Sequence, residues 1–184
     1  MDGGLQLVAG KTAEFTVVGE PRGKERPRHR VVMPKRGGKP FVTTYTPEST
    51  TSYERQVFLE TIPIRRKIGM ITGPVRISIL IGMPIPKSYT KARQHAIRHG
   101  FEAHTGKPDI DNVVKAVLDG LVRSAGTGDL REHVGLLRDD NQVVQLNVIK
   151  DFTDEPRVFV RVTELVIPGA QSSFPKELQN DQET

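Results

Sequence analysis

Lys107-Pro108-Asp109-Ile110-Asp111-Asn112-Val113-Val114-Lys115-Ala116-Val117-Leu118-Asp119-Gly120-Leu121 decides the reading of this chain. Apolar residues fall at 110, 113, 114, 117, 118 and 121, the ladder of an amphipathic helix with one buried face. The polar residues are the unusual part. At 100° per residue, Asp111, Lys115, Asp119 and Asn112 share a sector of about 100°, and Asp109 lies just before the helix. Aspartate is a poor helix former, so three of them around one helix point to a task other than solubility.

Outward from this stretch, charge is unevenly spread. Residues 1–107 carry 19 Lys/Arg and 8 Asp/Glu, whereas residues 108–184 carry 8 and 14. A basic half followed by an acidic half fits a polyanion grip joined to a carboxylate metal site, or a segregated solvated surface. The length of 184 residues allows one domain with a proper core. No apolar run approaches the ~20 residues of a membrane span, and Met1-Asp2-Gly3-Gly4 lacks the basic and apolar regions of a signal peptide. With no cysteine, a disulfide framework, a thiolate zinc site and a cysteine nucleophile are excluded. These features point to the cytoplasm. Without tryptophan and with 5% aromatics, base stacking does not dominate any nucleic-acid binding.

Residues 1–11 read as a lead-in, 12–167 as a single domain and 168–184 as a disordered tail. Strands are expected at Glu14–Val18, Arg30–Met33, Phe41–Tyr45, Val75–Gly82, Gln142–Lys150 and Arg157–Val166. Near-continuous apolarity puts the strand from Val75 at the centre of a sheet. Thr153–Pro156 is expected to form a hairpin between the last two strands. Thr46-Pro47-Glu48 opens a helix with a buried stripe of Tyr53, Val57, Phe58 and Ile62, closed by Arg65-Arg66-Lys67. A short exposed helix runs from Ser88 or Thr90 to His99. The expected class is α/β (α+β): a mixed sheet of four to five strands with helices packed on it.

Two basic regions are candidates for phosphate contact. Residues 22–39 hold eight Lys/Arg and one acid, with Lys24, Arg26, Arg28, Arg30, Lys35 and Arg36 among them. The second region carries Lys87, Lys91 and Arg93, and Lys107 stands at the mouth of the acidic stretch. For the acids, Asp109 and Asp111 are two residues apart, so an extended approach turns both to one side. Paired hard oxygen ligands suit Mg²⁺ or Mn²⁺. A third acid is best supplied by Asp140 or Asp139, and Lys115 lies one turn past Asp111. Helix capping with i, i+4 pairing of Asp111, Lys115 and Asp119 is the competing structural use. An EF-hand is rejected because positions 113 and 114 are both Val. A D-x-D nucleotide-sugar transferase is disfavoured because it would want a larger chain and leaves the basic half unexplained.

The run Lys-Pro-Asp-Ile-Asp-Asn-x-x-Lys-x-x-x-Asp-x-Leu, followed by Asp-Asp-x-Gln-Val-Val, resembles the RusA family of Holliday junction resolvases. Gly19, Pro21, Lys24, Arg26, Pro27 and Arg28, and Tyr45-Thr46-Pro47 before Tyr53, resemble its phage-type members. The resemblance implies a homodimeric, Mg²⁺-dependent endodeoxyribonuclease of DNA recombination and repair. It implies paired, symmetric cuts in four-way junctions that leave 5′-phosphate ends, and no small-molecule substrate. Carried over by position, its essential residues fall on Asp109, Asp111, Asp140 and Lys115. Asn112, Asp119, Asp139 and Lys150 take supporting places. Here the link Val122–Arg138, which includes Asp129 and Glu132, is longer than in most members. The alternative is a branched-DNA-binding accessory protein that does not cut.

Overall fold

A computed structural model describes residues 7–34, 37–122, 135–166 and 168. The 122–138 link, and most of the expected 168–184 tail, fall largely outside them. The described residues form β1 (Val8–Val18), β2 (Arg28–Val32), β3 (Phe41–Tyr45), α1 (Glu48–Ile68), β4 (Val75–Pro84), α2 (Lys91–Arg98), α3 (Ile110–Val122), a 3₁₀ turn (Asp140–Gln142), β5 (Val143–Thr153) and β6 (Arg157–Val166). β1 begins at Val8, so the last residues of the stretch read as a lead-in are already strand.

Four strands make one mixed sheet in the order β1-β6-β4-β5, and β2 and β3 form a separate antiparallel pair. The class is therefore the mixed α+β domain that the alternation pattern predicts. β4 is central, antiparallel to β6 and parallel to β5. Its residues alternate: Val75, Ile77, Ile79, Ile81 and Met83 are buried, while Leu80 is 48% exposed. One face of β4 is thus open, and its centrality comes from hydrogen bonding on both edges rather than from burial on both faces.

The expected hairpin across Thr153–Pro156 does not form. β5 and β6 flank β4 and pair with it, not with each other. The three-residue link crosses over β4 at Gly82, whose partners are Asp151 on one side and Arg157 on the other. A Cβ on Gly82 would lie 2.6 Å from Thr153 Cγ2 and 3.2 Å from the Arg157 carbonyl. Turn length alone cannot reveal a third strand slipped between two sequence neighbours, because Gly82 supplies the missing volume. Gly82→Ala is expected to destabilise by roughly 1–3 kcal/mol. Thr153→Ser, which removes the clashing methyl, should restore most of that loss in chemical denaturation.

The helices α1 and α3 cover the inner face. From α1, Tyr53, Val57 and Phe58 are buried as expected, but Thr61 takes the next place and Ile62 is half-buried. The reason is spacing: 53, 57 and 61 lie on one i, i+4 ridge. Thr61 is tolerated because its hydroxyl donates to the Phe58 carbonyl at 2.6 Å. From α3, Val113, Val117 and Leu121 are fully buried against Ile77, Ile79, Val160 and Val162 in one core. The β2–β3 pair stands apart with Val31, Phe41 and Val42 exposed.

Candidate active site

The acidic stretch is held from three sides. The apolar ladder of α3 fastens its inner face, leaving Asp111 and Lys115 in solvent. Asp109 precedes the helix, and its carbonyl accepts the first helical hydrogen bond, from the Val113 amide at 3.2 Å. Before it, the Lys107–Pro108 peptide is cis. Lys150 of β5 donates to the carbonyls of Gly106 (2.7 Å) and Pro108 (2.9 Å). This lysine therefore ties the approach to Asp109 onto the sheet.

The same approach carries His104. Its ring lies edge-on to Phe152 at 4.7 Å, and its Nδ1 is buried without a partner among the described residues. Desolvation, then the Lys150 charge, pushes its pKa below the ordinary histidine value. The unfolded chain therefore takes the proton first as pH falls. This contribution to stability is present above the ordinary histidine pKa, near 6.5, and is lost as pH drops through and below it. A His104→Phe variant should show a flatter stability profile between about pH 7 and 5 in denaturant titrations.

On the other flank, residues 20–25 lie against α3. Lys24 N–H donates to the Asn112 carbonyl at 2.8 Å. A Cβ on Gly23 would come within 3.0 Å of both Pro108 and Asn112. Between the two segments opens a crevice of about 390 Å³, lined by Arg22, Lys24, Lys107, Pro108, Asp109 and Asn112 among others. Cations from the basic half thus line the same recess as Asp109.

Asp139 and Asp140 divide their work. The Asp139 carboxylate accepts from the Asn141 amide at 2.8 Å and so caps the 3₁₀ turn. Gln142 accepts from the Arg138 and Asp139 amides and donates to the carbonyls of Ile71 and Gly73. This Gln142 clamp fixes the turn, and sequence reasoning missed it; the Asp-x-x-Gln spacing of a capping box was its signal. Asp140 is exposed on the turn; its carboxylate makes no hydrogen bond among the described residues, though its charge reaches Lys24. Of the two acids left open by the sequence, Asp139 is engaged in capping the turn and Asp140 is not.

The acids do not converge as one cage. Among the described residues, no three carboxylate or imidazole groups are placed to hold a metal ion together. Asp109 and Asp111 stand at the amino end of α3. The segment leading to Asp140 meets its other end, where the Leu137 amide donates to the Leu121 carbonyl at 3.1 Å. By chemistry the donors still fit a hard divalent cation: all are exposed carboxylates, and neither the Asp109 nor the Asp140 carboxylate makes a hydrogen bond among the described residues. Asp111 meets only Lys115, at 3.4 Å with both side chains about 60% exposed, a contact worth little in water.

The basic candidates separate into engaged and open groups. Lys24 is turned to Asp119 at 2.5 Å. Arg28 pairs with Glu25, and Arg30 lies 5.7 Å from the Tyr45 ring. Arg93 forks onto Glu102 and stacks 3.6 Å from the Tyr89 ring. Arg26, Lys87, Lys91 and Lys107 are exposed with no partner among the described residues. Lys35 and Arg36 lie outside those residues.

A family model described as endodeoxyribonuclease RusA matches residues 19–163. The chain belongs to the RusA family. RusA proteins are endodeoxyribonucleases, and the matched span runs from the end of β1 into β6, taking in every acid and basic segment above. A Bacillus subtilis (strain 168) protein, named as uncharacterized protein YqaN, is 35% identical over 154 residues, covering 83% of this chain and 96% of that protein. Among the described residues, no helix is long and apolar enough to cross a membrane.

Proposed function

We propose that this RusA-family chain is a Mg²⁺-dependent, structure-selective endonuclease that nicks four-way DNA junctions in symmetric pairs as a homodimer. The observation that carries the reading is the crevice that Asp109 shares with Arg22 and Lys107, with Glu20 and Glu25 also on its wall. A carboxylate would repel a phosphate unless a cation stood between them, and the adjoining Arg22 and Lys107 supply the grip. Asp109, Asp111 and Asp140 would hold Mg²⁺, with Mn²⁺ as a substitute. When bound, the ion lowers the pKa of water and neutralises charge on the scissile phosphate.

The chain's own residues do the rest. The core contacts of α3 hold Asp111 and Lys115 at a set spacing. Lys115, whose only partner among the described residues is weakly held, places an ammonium beside the phosphate as charge builds on the departing oxygen. Arg26, Lys87, Lys91 and Lys107 take phosphates of the flanking strands. A homodimer repeats the site by two-fold symmetry, which is the geometric condition for paired cuts that leave 5′-phosphate ends.

The test is cleavage of an end-labelled synthetic four-way junction with Mg²⁺, against a linear duplex of the same sequence. Paired nicks on opposite strands support the reading. Tight junction binding without a nick under any divalent ion would favour a non-cleaving branched-DNA-binding accessory protein instead.

A further inference from the structure

Lys24 was expected to meet phosphate, but its half-buried side chain is turned to Asp119 of α3. Three separate ties hold residues 23 and 24 to α3: the Lys24 amide on the Asn112 carbonyl, Gly23 seated against Pro108 and Asn112, and the Lys24 ammonium on Asp119. Asn112 and Asp119 are two turns apart, about 10 Å along the helix axis, so one residue fastens the arm at two levels of α3. The next residue repeats this on α1. The Glu25 amide donates to Thr50 Oγ1 at 3.1 Å, and Ser49 Oγ donates to the Glu25 carboxylate. Beyond Glu25 the chain passes into Arg26 and the exposed strand β2.

The surroundings of the ammonium explain its direction. Its pKa is raised first by the hydrogen bond to Asp119, with Glu54 and Asp140 adding to the effect. Carboxylates from α1, α3 and the 3₁₀ turn thus face one lysine, and removing it would leave like charges opposed.

We propose that Lys24 is a positioning residue: through Asp119 it locks the root of the basic arm onto α3, so that the phosphate-gripping arm and the Asp109–Asp111 pair move as one body. Lys24 itself contributes no phosphate contact. The proposal deepens the nuclease reading and rests on it for its DNA arm alone.

Lys24→Gln, Lys24→Arg, Asp119→Asn and the Lys24→Gln/Asp119→Asn double variant make the test, each checked for an unchanged melting temperature. In the DNA-free protein, hydrogen exchange at the Lys24 amide should speed up about tenfold in Lys24→Gln and Asp119→Asn alike. It should stay near the parent rate in Lys24→Arg. Binding to a synthetic four-way junction in EDTA should weaken by a similar factor, about five- to tenfold, in both single variants. The double variant should be no worse than either, and the salt dependence should keep its slope, because no phosphate contact is lost.

Two results overturn the proposal. The first is Lys24 amide exchange that does not change in either variant. The second is the pattern of a phosphate contact: Lys24→Gln weakening the complex with a salt slope smaller by about 0.9, while Asp119→Asn tightens it. If the parent chain binds no junction, the nuclease reading falls, and the exchange measurement alone decides the lock.

Discussion

Asp111→Asn, and separately Asp109→Asn, should lower junction cleavage by roughly 10³-fold, about 4 kcal/mol of transition-state stabilisation. Junction affinity should be unchanged or higher. Both substitutions keep the shape of the side chain and remove its charge, so they test the carboxylate and little else. Asp111 is 63% exposed and its contact with Lys115 is long, so the expected loss of stability is within about 0.5 kcal/mol. Asp109 opens α3 through its backbone carbonyl, which the substitution leaves in place. A chain that serves only as a junction binder would respond differently, gaining affinity as acids facing phosphate are removed and showing no nick to lose. Full cleavage by Asp111→Asn would end the nuclease assignment of this acid pair. The measurement is the single-turnover rate on a labelled junction, with affinity read separately in EDTA.

Gly120→Ala should destabilise the fold by roughly 3 kcal/mol, a fall of about 6–12 °C in melting temperature for a chain of this size. Two effects of opposite sign compete here. Within an isolated helix, alanine is better than glycine by about 1 kcal/mol. Against that, a Cβ at 120 would lie 2.5 Å from Val57 Cβ and 2.8 Å from the Glu54 carbonyl. Backbone and a fully buried valine cannot both retreat, so α1 and α3 would have to separate, and packed interiors respond steeply to such displacements. The sign of the measured change decides between helix propensity and the closeness of the two helices. Gly106→Ala is the control: beyond its chain neighbours, its Cβ would come closest to His104 Cε1 at 3.4 Å, an ordinary contact, and its effect should stay within about 1 kcal/mol.

These two experiments differ in how far they were legible from residues alone. The acid set is read from spacing: Asp109, Asp111 and Lys115 are local in the chain, and a helix of 3.6 residues per turn sets Asp111 and Lys115 on one side without help from the rest of the fold. Gly120 inside an apolar ladder shows no local reason for being glycine; the reason is Val57, 63 residues earlier. The same holds for Gly82, whose reason is the link from β5 to β6 that crosses over it. The basic arm was legible as charge but not as direction. Lys24, Arg28 and Arg93 are all engaged by acids of this chain, whereas Arg26, Lys87, Lys91 and Lys107 stay open to an outside partner among the described residues. Composition counts a cation without saying whether an acid from another element will reach it first.

By itself, the sequence determined the helix carrying Asp111 and Lys115, the alternating strands and the mixed α+β class, because each depends on short-range periodicity and residue chemistry. Only the tertiary structure decided that β4 enters between β5 and β6, that Lys150 and Gln142 brace the segments bearing Asp109 and Asp140, and that Lys24 turns to Asp119. Those outcomes depend on which distant segments share space. Contacts between residues 42 to 95 positions apart leave no period in the chain.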